Sequence, residues 1–160
     1  MNYHVTNIGN GSLHVMAAPK ARQLHNHIRF LKMNGITKVL CLMEPDEMER
    51  VNIGAEEQTC LHEGIKYENF PIVDHSVTER DRLQAMLKRV LEEIRAGENL
   101  VVHCFAGIGR TGIVSCGLLI EDGMTAEEAI DLVSEKRHLK VPETSEQTQF
   151  VKDYADALIA

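Results

Sequence analysis

The sequence predicts an α/β fold of three layers, a central and mostly parallel sheet flanked by helices. Short apolar runs alternate along the chain with segments of helical periodicity, which implies parallel strands joined by crossover helices. The runs "ITKVLCLM" (36–43) and "NLVVHC" (99–104) read as buried strands. The helical segments end on Asn34-Gly35 and on Gly97, residues that stop helices.

In chain order, "HVTNIGNGSLHVM" gives two short strands around the turn residues Gly9 to Ser12. Leu24, Ile28 and Leu31 have helical spacing and place a helix over about 20–34. Strand 36–43 follows, then an acidic helical stretch, 44–63, broken near Gly54. "IKYENFPI" (65–72) reads as a strand, and 79–96 as a helix whose apolar stripe is Leu83, Met86, Leu87, Val90, Leu91 and Ile94. Strand 99–104 is followed by helices expected at about 110–122, 126–138 and 145–159.

A chain of 160 residues without repeat, linker or low-complexity tract is read as one domain, 1–160. The net charge of −7 argues against nucleic-acid or membrane-surface partners, although a local positive pocket is compatible with it. No apolar run reaches membrane-spanning length, and the first residues lack a signal-peptide layout. Cys41, Cys60, Cys104 and Cys116 follow no disulfide-framework or zinc spacing, so a reducing, cytoplasmic location is expected.

The stretch "VVHCFAGIGRTGIVS" (101–115) carries the chemistry. A strand runs into Cys104, a glycine-bearing loop follows, and a helix begins near Arg110. In open α/β sheets ligands bind at the carboxyl ends of strands. A helix N-terminus offers unpaired N–H groups and partial positive charge, and Gly107 and Gly109 let the preceding loop curl into an anion-binding nest. Phe105, Ala106, Gly107, Ile108 and Gly109 would supply that cradle. Arg110 can fold back to grip two phosphate oxygens with its planar fork. The same field favours a thiolate over a thiol. Thr111 is placed to donate a hydrogen bond to the sulfur, and His103 to fix the loop through its ring nitrogens.

"HCFAGIGRTG" resembles the H-C-x-x-G-x-x-R-[ST]-G signature of cysteine-dependent protein tyrosine and dual-specificity phosphatases, with all six fixed positions matched. A chance match in a chain this long is on the order of one in a million, so the signature outweighs the plainer reading of Cys104 as an inert buried cysteine. The resemblance covers the whole chain in element order, but only 103–112 specifically. It implies a three-layer phosphatase fold, hydrolysis through a cysteinyl-phosphate on Cys104, Arg110 on the phosphate oxygens, and no metal or organic cofactor. It also implies a general acid on a loop about 30 residues before the cysteine, a place held here by Asp74 in "NFPIVDHSV". Asp81 is the fallback, although periodicity puts it in a helix. "VPETSEQTQFV" resembles the stretch of kinase-associated phosphatases that opens the last helix. There Thr144 would be the N-cap and Gln147 would orient the hydrolytic water; the plainer reading is a capping-box start with exposed glutamines.

The sheet order implied by the resemblance sets strand 36–43 beside strand 99–104. Cys41 then becomes a possible redox partner for Cys104, with Cys60 toward the opposite sheet edge and Cys116 too deep in its helix. The alternative for Cys41 is a small core residue. His25 and His27 lack metal-ligand spacing for one helix face and are read as surface residues, Cys60 and His62 as lacking partners, and Glu44, Asp46, Glu47 and Glu49 as a solvated helix start. The substrate implied is a phosphorylated protein or peptide, carrying phosphotyrosine and, in a shallow cleft, phosphoserine or phosphothreonine. The uncharged Phe105, Ala106 and Ile108 disfavour polyphosphoinositides. Other phosphate esters, a catalytically silent phosphate-binding module and a rhodanese-type sulfur transferase are the alternatives weighed.

Overall fold

The computed structural model of the protein describes residues 1–158. Two strands, β1 (Tyr3–Ile8) and β2 (Gly11–Met16), form an antiparallel hairpin around Gly9 and Asn10. A short 3₁₀ turn, Ala21–Gln23, leads into α1 (Leu24–Met33), whose buried stripe is Leu24, Ile28 and Leu31. There follow β3 (Lys38–Cys41), α2 (Pro45–Arg50), α3 (Glu56–His62) and β4 (Lys66–Asn69). The remainder is α4 (Arg80–Ala96), β5 (Asn99–His103), α5 (Gly109–Glu121), α6 (Ala126–Arg137) and α7 (Ser145–Leu158). Residue 159, expected at the end of the last helix, lies outside the described residues.

The sheet order is β1-β2-β5-β3-β4, with every neighbouring pair parallel except the hairpin. Side chains alternate across the pleat, so each central strand feeds two cores. Leu40, Leu42, Leu100 and Val102 face the larger core, shared with α4, α5, α6 and α7. Val39 and Val101 face the smaller one, under α1 and α3. At about 25 cal/mol per Å² of apolar area, each fully buried Leu or Val contributes on the order of 1.5–3 kcal/mol. The two cores hold the three layers together. Among the described residues no helix is long and apolar enough to cross a membrane.

Strand 65–72 was expected to be longer than β4. The ladder stops at Asn69 because β3 stops at Cys41, yet Phe70 N–H and Ile72 N–H still donate to the Cys41 and Leu42 carbonyls at 2.9 Å. The chain therefore runs on beside the sheet and delivers residues 73–79 to the carboxyl ends of the strands. α5, the helix behind the loop, is the most enclosed element. Its residues 109–120 are all buried, because the sheet, α4, α6 and α7 surround it.

Candidate active site

β5 ends at His103, and the loop 104–108 rises from it into α5. Each carbonyl of this loop is tied from outside. The Cys104 carbonyl accepts from His103 Nδ1 at 2.9 Å, and the Phe105 carbonyl from Ala18 N–H at 2.9 Å. Arg137, the last residue of α6, donates Nη2 to the Ala106 carbonyl at 2.9 Å and Nε to the Gly107 carbonyl at 3.2 Å. A trans peptide holds its N–H opposite its C=O. With these four carbonyls bonded, the N–H groups of Phe105, Ala106, Gly107 and Ile108 lie opposite those bonds, and the loop leads directly into the N-terminus of α5. Gly107 has φ +75°, and a Cβ there would run into the Met16 carbonyl. Only glycine lets the loop lie this close to the end of β2.

Cys104 is 2% exposed at the base of this cradle, and Thr111 Oγ1 donates to its Sγ at 3.0 Å. Arg110 is 1% exposed. Its Nη1 and Nη2 meet Glu47 Oε1 and Oε2 at 2.8 and 2.9 Å, Nη1 also donates to the Ile72 carbonyl at 3.1 Å, and Nη2 lies 3.1 Å from Asp74 Oδ1. Its Nε is buried, with no hydrogen-bond partner among the described residues. Burial opposes the charge of Arg110. The hydrogen bonds it donates to Glu47 and the nearby Cys104, Glu47 and Asp74 outweigh it, so the guanidinium is held even more firmly charged than usual. Glu47 in turn is held below the usual carboxylate range, chiefly by its hydrogen bond to Arg110.

Asp74 stands in the loop between β4 and α4, half exposed, its Oδ1 accepting the His75 N–H at 2.9 Å. Structure and sequence thus bring Cys104, Arg110, Thr111 and Asp74 to one place. Asp81 lies apart from them, exposed in the first turn of α4.

Gln147 is fully buried. Thr144 Oγ1 accepts its N–H at 3.1 Å while Gln147 Oε1 accepts the Thr144 N–H at 3.1 Å, a reciprocal cap. Gln147 Nε2 donates to the Ser76 carbonyl at 3.1 Å, and a Cβ on Gly109 would collide with the same amide. Gln147 therefore links the acid-bearing loop to the start of α5. The exposed glutamine of the plainer reading is not what the structure has.

Behind the loop, on the α3 side of the sheet, His103 Nε2 meets Glu56 Oε2 at 2.6 Å, both side chains being within 1% of fully buried. The polar atoms of Cys41, Glu56 and His103 lie within 4.8 Å of one another. His103 and Glu56 are set as an ion pair, with the Cys41 thiol beside them.

Four expectations are corrected here. Cys41 pairs in register with His103, so it shares that residue's face of the sheet, and its thiol donates to Met48 Sδ at 3.6 Å. Cys104 packs in the core of the opposite face, so alternation of side chains puts the sheet between the two sulfurs and a direct bridge is not set up. Cys60 is not at a sheet edge. It is buried on α3 beneath Met16, Val39 and Val101, and burial, with Glu56, Cys41 and Glu57, pushes its thiol up to about 12. Burial does the same to Cys116. Among the acidic residues of 44–49, Asp46 and Glu49 are solvated, but Glu47 is buried against Arg110. His27, expected on the surface, is half-buried beside the N-terminal amine.

Sequence reasoning missed Glu47, Glu56 and Arg137. For Glu56 a signal existed: it shares a helical stripe with Ile53 and Cys60, an odd place for a carboxylate. Glu47 likewise sits four residues after the buried Met43. For Arg137 the sequence has no such signal.

The structure resembles that of kinase associated phosphatase with a serine in place of its catalytic-site cysteine, at a TM-score of 0.85 and 18% identity, covering 100% of this chain and 96% of that one. Among curated relatives, a probable protein tyrosine phosphatase type IVA B of Dictyostelium discoideum is 33% identical over 98 residues, 59% of each chain. The protein tyrosine phosphatase domain-containing protein 1 of Bos taurus is 28% identical over 155 residues, 90% of this chain. The chain spans 59% and 19% of the length of these two relatives. Residues 4–157 match the family described as Swiss Army Knife protein, DSP-PTPase phosphatase domain, and the chain belongs to that family.

Proposed function

We propose that this protein hydrolyses phosphate monoesters through a cysteinyl-phosphate, acting first on phosphotyrosine in proteins or peptides. What supports the reading is the loop: its four carbonyls from Cys104 to Gly107 are all bonded elsewhere, which leaves their peptide N–H groups for a ligand, and the charged Arg110 guanidinium is held near Cys104. Those donors match the equatorial oxygens of a phosphoryl group in transfer, where transition-state charge gathers.

In the first step the Cys104 sulfur attacks phosphorus, an S–P bond forms, and the bond to the ester oxygen breaks. Asp74 gives its proton to that departing oxygen. In the second, water attacks phosphorus, Asp74 takes the water proton, and the S–P bond breaks to return the thiolate and release phosphate. Thr111 Oγ1 stabilises the sulfur as nucleophile and again as leaving group. Gln147, fixed between Ser76 and the start of α5, keeps the acid loop in register with the cradle.

Phe105 and Val73, 51% and 58% exposed, give the loop and the acid segment apolar side chains suited to an aryl group. The variable loop positions carry no cation that would meet a second phosphate. Four unpaired cysteines fit the expected reducing, cytoplasmic setting.

The test is turnover of para-nitrophenyl phosphate in EDTA, then a panel of phosphotyrosine, phosphoserine and phosphothreonine peptides beside phosphoinositides. Cys104→Ser should lower kcat by at least ~10⁴ while phosphate still binds. Wild-type-like turnover in that variant would end the proposal. Asp74→Asn should lower kcat by ~10²–10⁴, less for good leaving groups, and remove the basic limb of the kcat/KM profile. An intact basic limb would move the acid role to another residue.

A further inference from the structure

Glu56 lies on α3, on the side of the sheet away from the cradle, and nothing in the two-step reaction above uses it. Yet it is 0% exposed, and its one short contact is to the ring of the residue that precedes the nucleophile. A buried carboxylate needs a compensating partner, and this one has two. Oε2 meets His103 Nε2 at 2.6 Å and Oε1 accepts the Tyr67 hydroxyl at 3.3 Å.

His103 Nδ1 faces the Cys104 carbonyl at 2.9 Å. A carbonyl only accepts, so Nδ1 must carry a proton. One proton lies between Nε2 and Glu56 Oε2 at 2.6 Å; Glu56 and Cys41 raise the ring's hold on it, which makes the ring an imidazolium with a donor at each end. The chain of contacts then runs from Glu56 to His103, to the Cys104 carbonyl, and across that peptide to the Phe105 N–H on its opposite side.

We propose that Glu56 is a positioning residue for phosphate capture, acting through His103 to fix the Cys104 carbonyl and, with it, the first N–H of the cradle. This rests on the reading of the loop as a phosphate site.

The groups facing His103 agree with this assignment. Burial opposes the charge of the ring, but Glu56 and Cys41, by charge and hydrogen bonding, raise it well above its ordinary value. Tyr67, from β4, is pushed up by burial and by Cys41 and Glu56, so it stays a donor. His27, from α1, is pushed down to about 4 by burial, the N-terminal amine and His103, so it is neutral and does not compete for Glu56. Cys60, from α3, is held as a thiol. His103 is thus the one positive centre in this pocket.

Glu56→Gln keeps the shape and can still bond the ring, but it removes the charge that holds the second proton. The measurement pairs ring nitrogen NMR of His103 with the dissociation constant of inorganic phosphate, both at pH 8. In the wild type both ring nitrogens should be protonated. In Glu56→Gln the ring should be neutral and phosphate should bind about tenfold more weakly, since charge-assisted hydrogen bonds are roughly twice as strong as neutral ones. A ring that stays doubly protonated in the variant overturns the proposal, as does a neutral ring with phosphate affinity within twofold of wild type. Should Glu56→Gln fail to fold, Glu56→Asp carries the same test. Ring protonation and phosphate affinity must then be kept together or lost together, and a change in one alone overturns the proposal. Neither readout needs turnover, so wild type that binds phosphate without hydrolysing esters would sink the phosphatase reading and leave this one standing.

Discussion

A buried lysine and a buried arginine stand toward opposite ends of the same sheet, and they are wired differently. Toward the amino end, Lys38 Nζ meets Glu68 and Glu93 at 2.8 and 2.6 Å, and Arg89 bonds the same two carboxylates. Two cations and two anions close a ring that points at nothing else. Toward the carboxyl end, Arg110 is also tied to two carboxylates, but one of them, Asp74, is half exposed, and the Arg110 Nε has no partner among the described residues. The first cluster satisfies itself and stabilises the fold. The second holds a guanidinium rigidly while leaving donor capacity for something outside the chain. Buried charge marks a functional site where the accounting is left incomplete on one side.

The largest test of that contrast is Glu47→Ala, which strips Arg110 of its bidentate partner. Removing one member of a buried pair costs about 3–5 kcal/mol, to be read from denaturant unfolding at pH 7. The pH dependence has a definite sign. Glu47 is held below its ordinary value, so its contribution is complete above the usual carboxylate range and fades as pH falls through the lowered value. The gap between wild type and Glu47→Ala should therefore narrow in acid. A gap independent of pH would show that the carboxylate charge is not what Arg110 needs.

Arg110→Lys keeps the charge but loses the planar fork. It should lower kcat/KM by at least ~10²; near-full activity would reduce Arg110 to a point charge. The smallest effect is expected at the closed ring. Lys38→Met leaves Arg89 to serve both Glu68 and Glu93, so stability should fall by about 1–2 kcal/mol with kcat/KM within twofold. A tenfold loss of turnover there would erase the distinction between the two ends.

The layers and the cradle were legible in the sequence because both rest on local rules. Apolar periodicity sets α1 and α4, and glycine at 107 follows from a positive φ. The partners that orient the site were not legible. Glu47, Glu56 and Arg137 reach the loop from α2, α3 and α6, at sequence distances where only the folded topology decides who meets whom. An acidic stretch reads as solvated until one member is seen against Arg110. Cys41 shows the opposite error: adjacency of strands was legible, but the face on which its sulfur stands depends on a register that one residue of slip would reverse.

The enclosure of α5 bears on how the protein should fail. Residues 109–120 have no surface of their own, so their amide protons can exchange with solvent only when the surrounding helices and sheet come apart. Arg110 and Thr111, the first residues after Gly109, belong to that slowest-opening segment. The part of the candidate site carried by α5 is therefore not a weak point that loosens ahead of the rest on heating. Loss of activity and loss of the molecule as a whole should be one event, seen at one temperature by both measures.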